Sequence, residues 1–339
     1  MVEKKRNSNI ELLRILLMLM VCIWHMYVHG LGYRNVDAYA HATPFSLFMM
    51  AILVPHVNCF MLISGYYSLK FSMKKILSLA FQASFYYWAI AGSFLALNIW
   101  SGWEVLKHIL PISTYVWWFL SFYVVILFLS PILNKGLTLL EKKERWMIML
   151  TFFVFNSIGS FIYPNPGTGF LNLLFIYCLG RCLSIELVYI KKTNVFLTLG
   201  GVILTQFIIS SLSPAYIVSK IGIYGYNNPL IIVQAVCMLY IALSFKPHYN
   251  KVINFLGSHC LSIYLITELV SGYIYDWWGD LYKENMIACY IAIGAVCLLC
   301  MLVDIVQSYL NQHFIKATQY LTSVMRVKYS LSRKQNDNI

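Results

Sequence analysis

The stretch from Asn9 to Gly30 (NIELLRILLMLMVCIWHMYVHG) constrains the chain most. It is long and apolar enough to cross a bilayer, which takes ~20 residues, yet it carries Glu11, Arg14, His25 and His29. Arg14 and His25 are eleven positions apart. That is close to three turns of α-helix, so both side chains point the same way, roughly 16 Å apart along the axis. Glu11 lies three positions before Arg14 and His29 four after His25, which puts all four on one helical stripe. Each ionisable group at membrane depth costs on the order of 3 kcal/mol and faces a cavity or a partner in most cases. Glu11 and His29 are read equally well as interfacial groups at the two ends of the span. Arg14 and His25 on one face point to function.

Composition agrees with a membrane protein. Only 11% of the 339 residues are charged and 60% are hydrophobic, against about 25% charged in soluble domains, and the mean hydropathy is +0.69. The basic start, Lys4-Lys5-Arg6, before an apolar run resembles a signal peptide. The apolar run is too long, contains Arg14 and lacks a small-residue cleavage site, so a retained span is expected.

Hydropathy predicts an all-α polytopic bundle of ten spans: 10–30, 44–68, 76–99, 114–133, 146–163, 168–187, 194–212, 228–246, 253–275 and 286–310. With the N-terminus inside, 20 of the 25 Lys and Arg fall on the cytoplasmic side. Four fall outside (Arg34, Lys107, Lys220, Lys283), and Arg14 lies within a span. This positive-inside asymmetry predicts two cytoplasmic termini in the plasma membrane. The net charge of +12 then serves topology and anionic lipid, not nucleic acid. The expected organisation is one membrane domain over 7–310 and a basic cytoplasmic tail over 311–339, first an interfacial amphipathic helix and then disordered. Cys297-x-x-Cys300 stands without a second pair or a flanking His, and Cys178 and Cys182 lie in an apolar run. All four read as buried small hydrophobes, and no metal site is expected.

Several motifs share a pattern with the first helix. Ile10-Glu11-Leu12-Leu13-Arg14 followed by His25 resembles the Leu-Asp-x-Leu-Arg…His signature of the membrane acyltransferase 3 family, with Glu11 for Asp and Ile15 where Gly is common. The family's Phe-rich run ending in Ser-Gly-Tyr is matched by Phe60–Tyr66, which contains Ser64, Gly65 and Tyr66. Trp118-Phe119-Leu120 matches its Trp-Phe-Leu, and Tyr177-Cys178-Leu179-Gly180 its aromatic-x-x-Gly. Ser262-Ile263-Tyr264-Leu265-Ile266 matches its late motif, but Thr267 stands where that motif has His. The resemblance runs from about residue 7 to 310.

Each of these residues also has a plainer reading. Ser64-Gly65 lets another backbone approach. Tyr115, Trp117 and Trp118 suit the interfacial aromatic belt, and Trp118 also suits stacking on a sugar ring. Lys70, Lys74, Lys75 and Arg181 are topology charges or contacts to the phosphates of coenzyme A. His56 reads as a histidine bonded to a carbonyl, or as a neighbour of His25 or His29. Tyr163–Gly169 reads as a tight outer turn. Glu268 is a carboxylate well inside a span, expected to pair with a His or Arg, and Asp304 is expected to pair with Arg14 or reach the interface.

The resemblance implies transfer of an acyl group, most often acetyl, from acyl-coenzyme A to a hydroxyl of a bacterial surface polysaccharide or lipid-linked saccharide. The donor would be a substrate, with no bound cofactor. Some family members add an extracellular hydrolase-like domain; with none here, the membrane part would act alone or with a partner. Acyl transfer to a hydroxyl needs a base near neutral pKa, which His25 supplies, unless it carries the acyl group itself. A permanent cation, Arg14 oriented by Glu11, would face a developing oxyanion or the donor's phosphates. Ser64, Tyr66, Lys74, Lys75, Trp118, Arg181, Tyr264 and Glu268 are the candidate donor and substrate contacts. If the family His does chemistry, its role here is lost at Thr267 or passes to a residue such as Glu268. The rival class is a multi-pass transporter or flippase of a glycan or lipid intermediate, since proton-coupled transporters use the same buried groups.

Overall fold

The computed structural model describes residues 6–158, 166–187 and 190–336, with side chains as far as 320. Among these residues every regular element is helical. The expected turn at Tyr163–Gly169 falls partly outside them, at 163–165. Six helical stretches are long and apolar enough to cross a membrane: Ser8–Gly30, Pro44–Tyr66, Trp118–Leu139, Lys192–Leu212, Lys251–Leu269 and Met286–Tyr320. Phe170–Ile185 and Pro229–Ser244 are apolar but shorter. A helical membrane bundle is therefore the architecture.

The chain divides into two compact units. One comprises residues 1–71 and 117–301, the other 72–116 and 302–339.

In the first unit, α1 (Ser8–His25) starts where the Asn7 side chain accepts from the Asn9 amide. Its buried face carries Ile10, Leu13, Leu17, Val21 and Trp24, at the three- and four-residue spacing of one helical stripe. After His25 the helix widens into a π-helical turn, Met26–Gly30. The short α2 (Val36–Ala40) follows. The second expected span is two helices, α3 (Pro44–Leu53) and α4 (His56–Tyr66). Pro55 has no N–H to continue the ladder, and the chain breaks there. After the break the His56 ring Nδ1 takes up the Leu53 carbonyl at 2.8 Å.

Further along the same unit come α7 (Trp118–Leu139), α8 (Lys142–Phe153) and α9 (Phe170–Ile185). Pro131 lies inside α7 and leaves the carbonyl four residues back without its helical donor. The Ser130 hydroxyl donates to that carbonyl, Leu127 O, at 2.8 Å. Arg145 on α8 is buried, and its Nε donates to Glu186 at 3.0 Å. This cation has a structural partner besides any role in topology.

The α4–α9 contact bears out the close approach expected at Gly65. A Cβ on Gly65 would strike the Tyr177 carbonyl, and one on Gly180 the Leu62 carbonyl. Two backbones thus touch at small residues, the usual way helices associate in a bilayer.

The unit is completed by α10 (Lys192–Leu212), α11 (Ala215–Lys220), α12 (Pro229–Ser244), α13 (Lys251–His259), α14 (Leu261–Leu269) and α15 (Ser271–Glu284). The fully buried Trp117 ties α7 to α14 by donating its indole N–H to Leu265 O at 3.2 Å. All nine cysteines are free and buried, as expected of small hydrophobes, and Cys297 Sγ lies 3.7 Å from Cys22 Sγ.

The second unit contains α5 (Met73–Ala96), α6 (Gly102–Leu106) and most of the last helix, α16 (Met286–Asn336). Ser101 and Glu104 form a capping box that starts α6. Asp304 on α16 is buried and accepts from Gln82 Nε2 at 2.8 Å and Tyr86 Oη at 2.6 Å, both on α5. The polar stretch after residue 311 continues α16 as helix to Asn336, where a separate amphipathic segment and a disordered end were expected.

Candidate functional site

The site is built on the last turns of the first span. His25 closes α1, and its Nδ1 lies 2.7 Å from Tyr275 Oη. Tyr275 donates to Glu268 Oε2 at 2.9 Å, and that same oxygen lies 3.5 Å from His25 Nδ1. Three polar groups from α1, α14 and α15 converge here. The His25 side chain keeps 14% of its surface exposed and Glu268 27%, so the cluster is enclosed but not sealed.

Backbone contact sets this geometry. A Cβ on Gly30 would collide with the Tyr275 carbonyl, and one on Gly279 with the Gly30 carbonyl. The π-helical turn and α15 therefore meet without intervening side chains. His29, on that turn, stacks its ring on Tyr275 (5.7 Å, 20°), and the Trp278 ring also packs against Tyr275, at 5.7 Å. His29 stands 5.4 Å from the His25 ring, edge-on.

A second aromatic group lies near the first. His56 accepts or shares a hydrogen at Nε2 with Tyr226 Oη, 3.3 Å away, while its Nδ1 is held by Leu53 O. His56 is thus the carbonyl-bonded histidine expected, and it is also within electrostatic range of His25. Tyr226 stacks on Trp118 (6.2 Å, 23°). Tyr264 is buried, edge-on to Phe119 at 6.4 Å.

Near the start of α1 the stripe is held by an ion pair. Arg14 Nη1 donates to Glu11 Oε2 at 3.1 Å, and Arg6 lies 3.8 Å from the other Glu11 oxygen. Glu11 is buried because α13 offers a glycine: a Cβ on Gly257 would lie 2.5 Å from Glu11 Oε2. Arg14 keeps a third of its side chain exposed, and Cys260 and Tyr123 lie within its electrostatic range.

The other expected contacts are elsewhere. Ser64 donates to its own helix at Phe60 O, 3.0 Å, and Tyr66 stands edge-on to Tyr67 at 5.4 Å. Arg181 donates to Thr138 Oγ1 at 3.1 Å. Lys74 and Lys75 open α5 in the second unit, Lys74 exposed and Lys75 half-buried. Thr267 is buried and donates to Ile263 O at 2.8 Å, so its hydroxyl is used by its own helix. Among the described residues no group of three His, Cys, Asp or Glu is placed to hold a metal ion.

The acyltransferase 3 profile, an acyltransferase domain, matches residues 7–304. The chain belongs to the acyltransferase 3 family. No curated protein and no solved structure matches it. The matched stretch of this membrane acyltransferase holds every residue of these three groups except Arg6.

Tyr275, Tyr226 and the Gly30–Gly279 contact escaped the sequence reading. For Tyr275 a signal existed: it follows the intramembrane Glu268 by seven positions, two turns of helix.

Proposed function

We propose that this acyltransferase is an O-acyltransferase of the plasma membrane, with ten spans and both termini in the cytoplasm. It moves an acyl group, acetyl in the first instance, from acyl-coenzyme A to a hydroxyl of a cell-surface glycan or exopolysaccharide. The observation that carries this reading is an enclosed histidine, His25, hydrogen-bonded to Tyr275 and beside Glu268, in the first span of an acyltransferase 3 chain.

In this reading His25 takes the proton of the acceptor hydroxyl as its oxygen attacks the thioester carbonyl. The carbon–sulfur bond breaks, and the imidazolium returns the proton to the leaving sulfur. The proton balance closes on one residue, which ends as it began.

Helix geometry supports one role for Arg14 over the other. From Arg14 to His25 the chain is regular α-helix, so the two residues stand roughly 16 Å apart along the axis. One carbonyl cannot touch both. An extended donor can, with its phosphates at Arg14 and its thioester near His25. The Glu11 contact supports this by holding the guanidinium in place. Lys74, Lys75 and Arg181 remain further cations for the donor, and Trp118, with Tyr226 stacked on it, is the candidate sugar platform.

The test is the O-acetyl content of the surface polysaccharide, by proton NMR, in a deletion strain complemented with wild type, Arg14→Ala or His25→Ala. Loss on deletion, rescue by wild type and failure of both variants at equal membrane abundance is the expected result. Unchanged acetylation on deletion would refute surface O-acetylation.

A further inference from the structure

His25 is gripped by one nitrogen only. Tyr275 Oη is 2.7 Å from Nδ1 and donates its hydrogen to Glu268 Oε2 at 2.9 Å. A phenol has a single proton to give. Since that proton points at the carboxylate, the Tyr275 oxygen accepts at its contact with His25. Nδ1 therefore carries the ring hydrogen. A neutral imidazole has one N–H, so the lone pair is on Nε2. Among the described residues no hydrogen bond holds Nε2.

We propose that Tyr275 and Glu268 are positioning residues that fix His25 in the Nδ1–H tautomer, leaving Nε2 as the proton acceptor, and balance the charge when it is protonated. This rests on the reading of His25 as the base. When Nε2 takes the hydroxyl proton, the ring becomes a cation with the Nδ1–H bond intact. Tyr275 stays neutral, and the Glu268 carboxylate, 3.5 Å from Nδ1, opposes the new charge. When the proton leaves for the sulfur, all three groups return to their starting states.

The surroundings suit a fixed relay. The Gly30–Gly279 contact docks α15 against the turn that follows His25, and the His29 ring stacks on Tyr275. Thr267, at the position of the family's His, spends its hydroxyl on Ile263 O. The next residue, Glu268, supplies the polar group that reaches His25.

The experiment uses the full chain in native membrane vesicles with radiolabelled acetyl-coenzyme A, scoring transfer to the endogenous envelope polysaccharide per molecule of enzyme. The variants are His25→Ala, Tyr275→Phe, Glu268→Gln and the Tyr275→Phe/Glu268→Gln double. Tyr27→Phe, whose hydroxyl bonds Tyr290 and Tyr282 and none of the three relay groups, is the control. Tyr275→Phe and Glu268→Gln should each lower kcat by ~10-fold or more, with KM for acetyl-coenzyme A within about twofold. The double should be no slower than the slower single, because the two act through one ring. Wild-type kcat in either single variant, losses that multiply in the double, or loss of Tyr275→Phe from the membrane would overturn the relay. Full transfer by His25→Ala would instead overturn the reading of His25 as base, and no transfer by wild type would overturn the acetyl-transfer reading.

Discussion

Gly30 and Gly279 meet backbone to backbone: a Cβ on Gly279 would lie 2.9 Å from the Gly30 Cα, and one on Gly30 would lie 3.1 Å from the Gly279 nitrogen. Neither atom can yield by rotating a side chain, so Gly30→Ala must push α15 away and carry Tyr275 with it. Overpacking of this kind costs about 1–3 kcal/mol. The expected outcome is a lowered Tm in detergent and a loss of acyl transfer larger than the loss of folded protein. Gly272→Ala, on the same helix with open space around its Cβ, should leave both unchanged.

Glu11 owes its place to Gly257. A Cβ there would lie 2.9 Å from Glu11 Cβ as well as against its carboxylate. Gly257→Ala should displace the carboxylate from Arg14 and disturb the guanidinium that the proposed mechanism gives to the donor's phosphates. We expect KM for acetyl-coenzyme A to rise about 5-fold, the equivalent of ~1 kcal/mol, with a smaller change in kcat. An unchanged KM in steady-state assays would separate Arg14 from the donor.

Much of this was legible in the sequence. Hydropathy and length mark apolar helices: each expected span overlaps helix among the described residues, and six helical stretches are long and apolar enough to cross a membrane. The Glu11–Arg14 pair is local, three residues apart, and needs only helical periodicity to be foreseen. What escaped is tertiary or irregular. His25 and Tyr275 are separated by 250 positions, and no local pattern announces such a pair. The break at Pro55 divides a span whose hydropathy is continuous. The π-helical turn at Met26–Gly30 changes the register after His25, which a strict 3.6-residue stripe does not contain.

A buried amide chain should matter for stability. Asn58 Nδ2 donates to Tyr226 O at 2.6 Å, and its oxygen accepts from Asn172 at 3.1 Å. Asn172 in turn accepts from Asn156 at 3.0 Å. Asn58→Leu strands a carbonyl and an amide in the core, at about 1–3 kcal/mol for each group. Because the carbonyl belongs to Tyr226, the ring that meets His56 also loses its anchor. A drop in Tm with weakened acyl transfer is expected; an unchanged Tm would mean that the orphaned groups find other partners.

In the second unit, Asp304 Oδ1 receives both Gln82 and Tyr86. Two donors on one oxygen make the substitution series informative. An asparagine at this position would still present one carbonyl oxygen to both, so Asp304→Asn should forfeit only the charge-assisted part of the bonds. Asp304→Leu strands both donors beside an apolar side chain. Hydrogen bonds to charged groups contribute about 1.5–3 kcal/mol each, so Asp304→Leu should lose several-fold more stability than Asp304→Asn. Adding Tyr86→Phe to Asp304→Leu removes the hydroxyl that lost its Asp304 acceptor and should recover part of the loss, since a missing pair costs less than one left half-made. Thermal unfolding of the four proteins in one detergent checks the order: wild type, Asp304→Asn, the Leu/Phe double, then Asp304→Leu. If the double is less stable than Asp304→Leu alone, the Tyr86 hydroxyl has a stabilising partner besides Asp304.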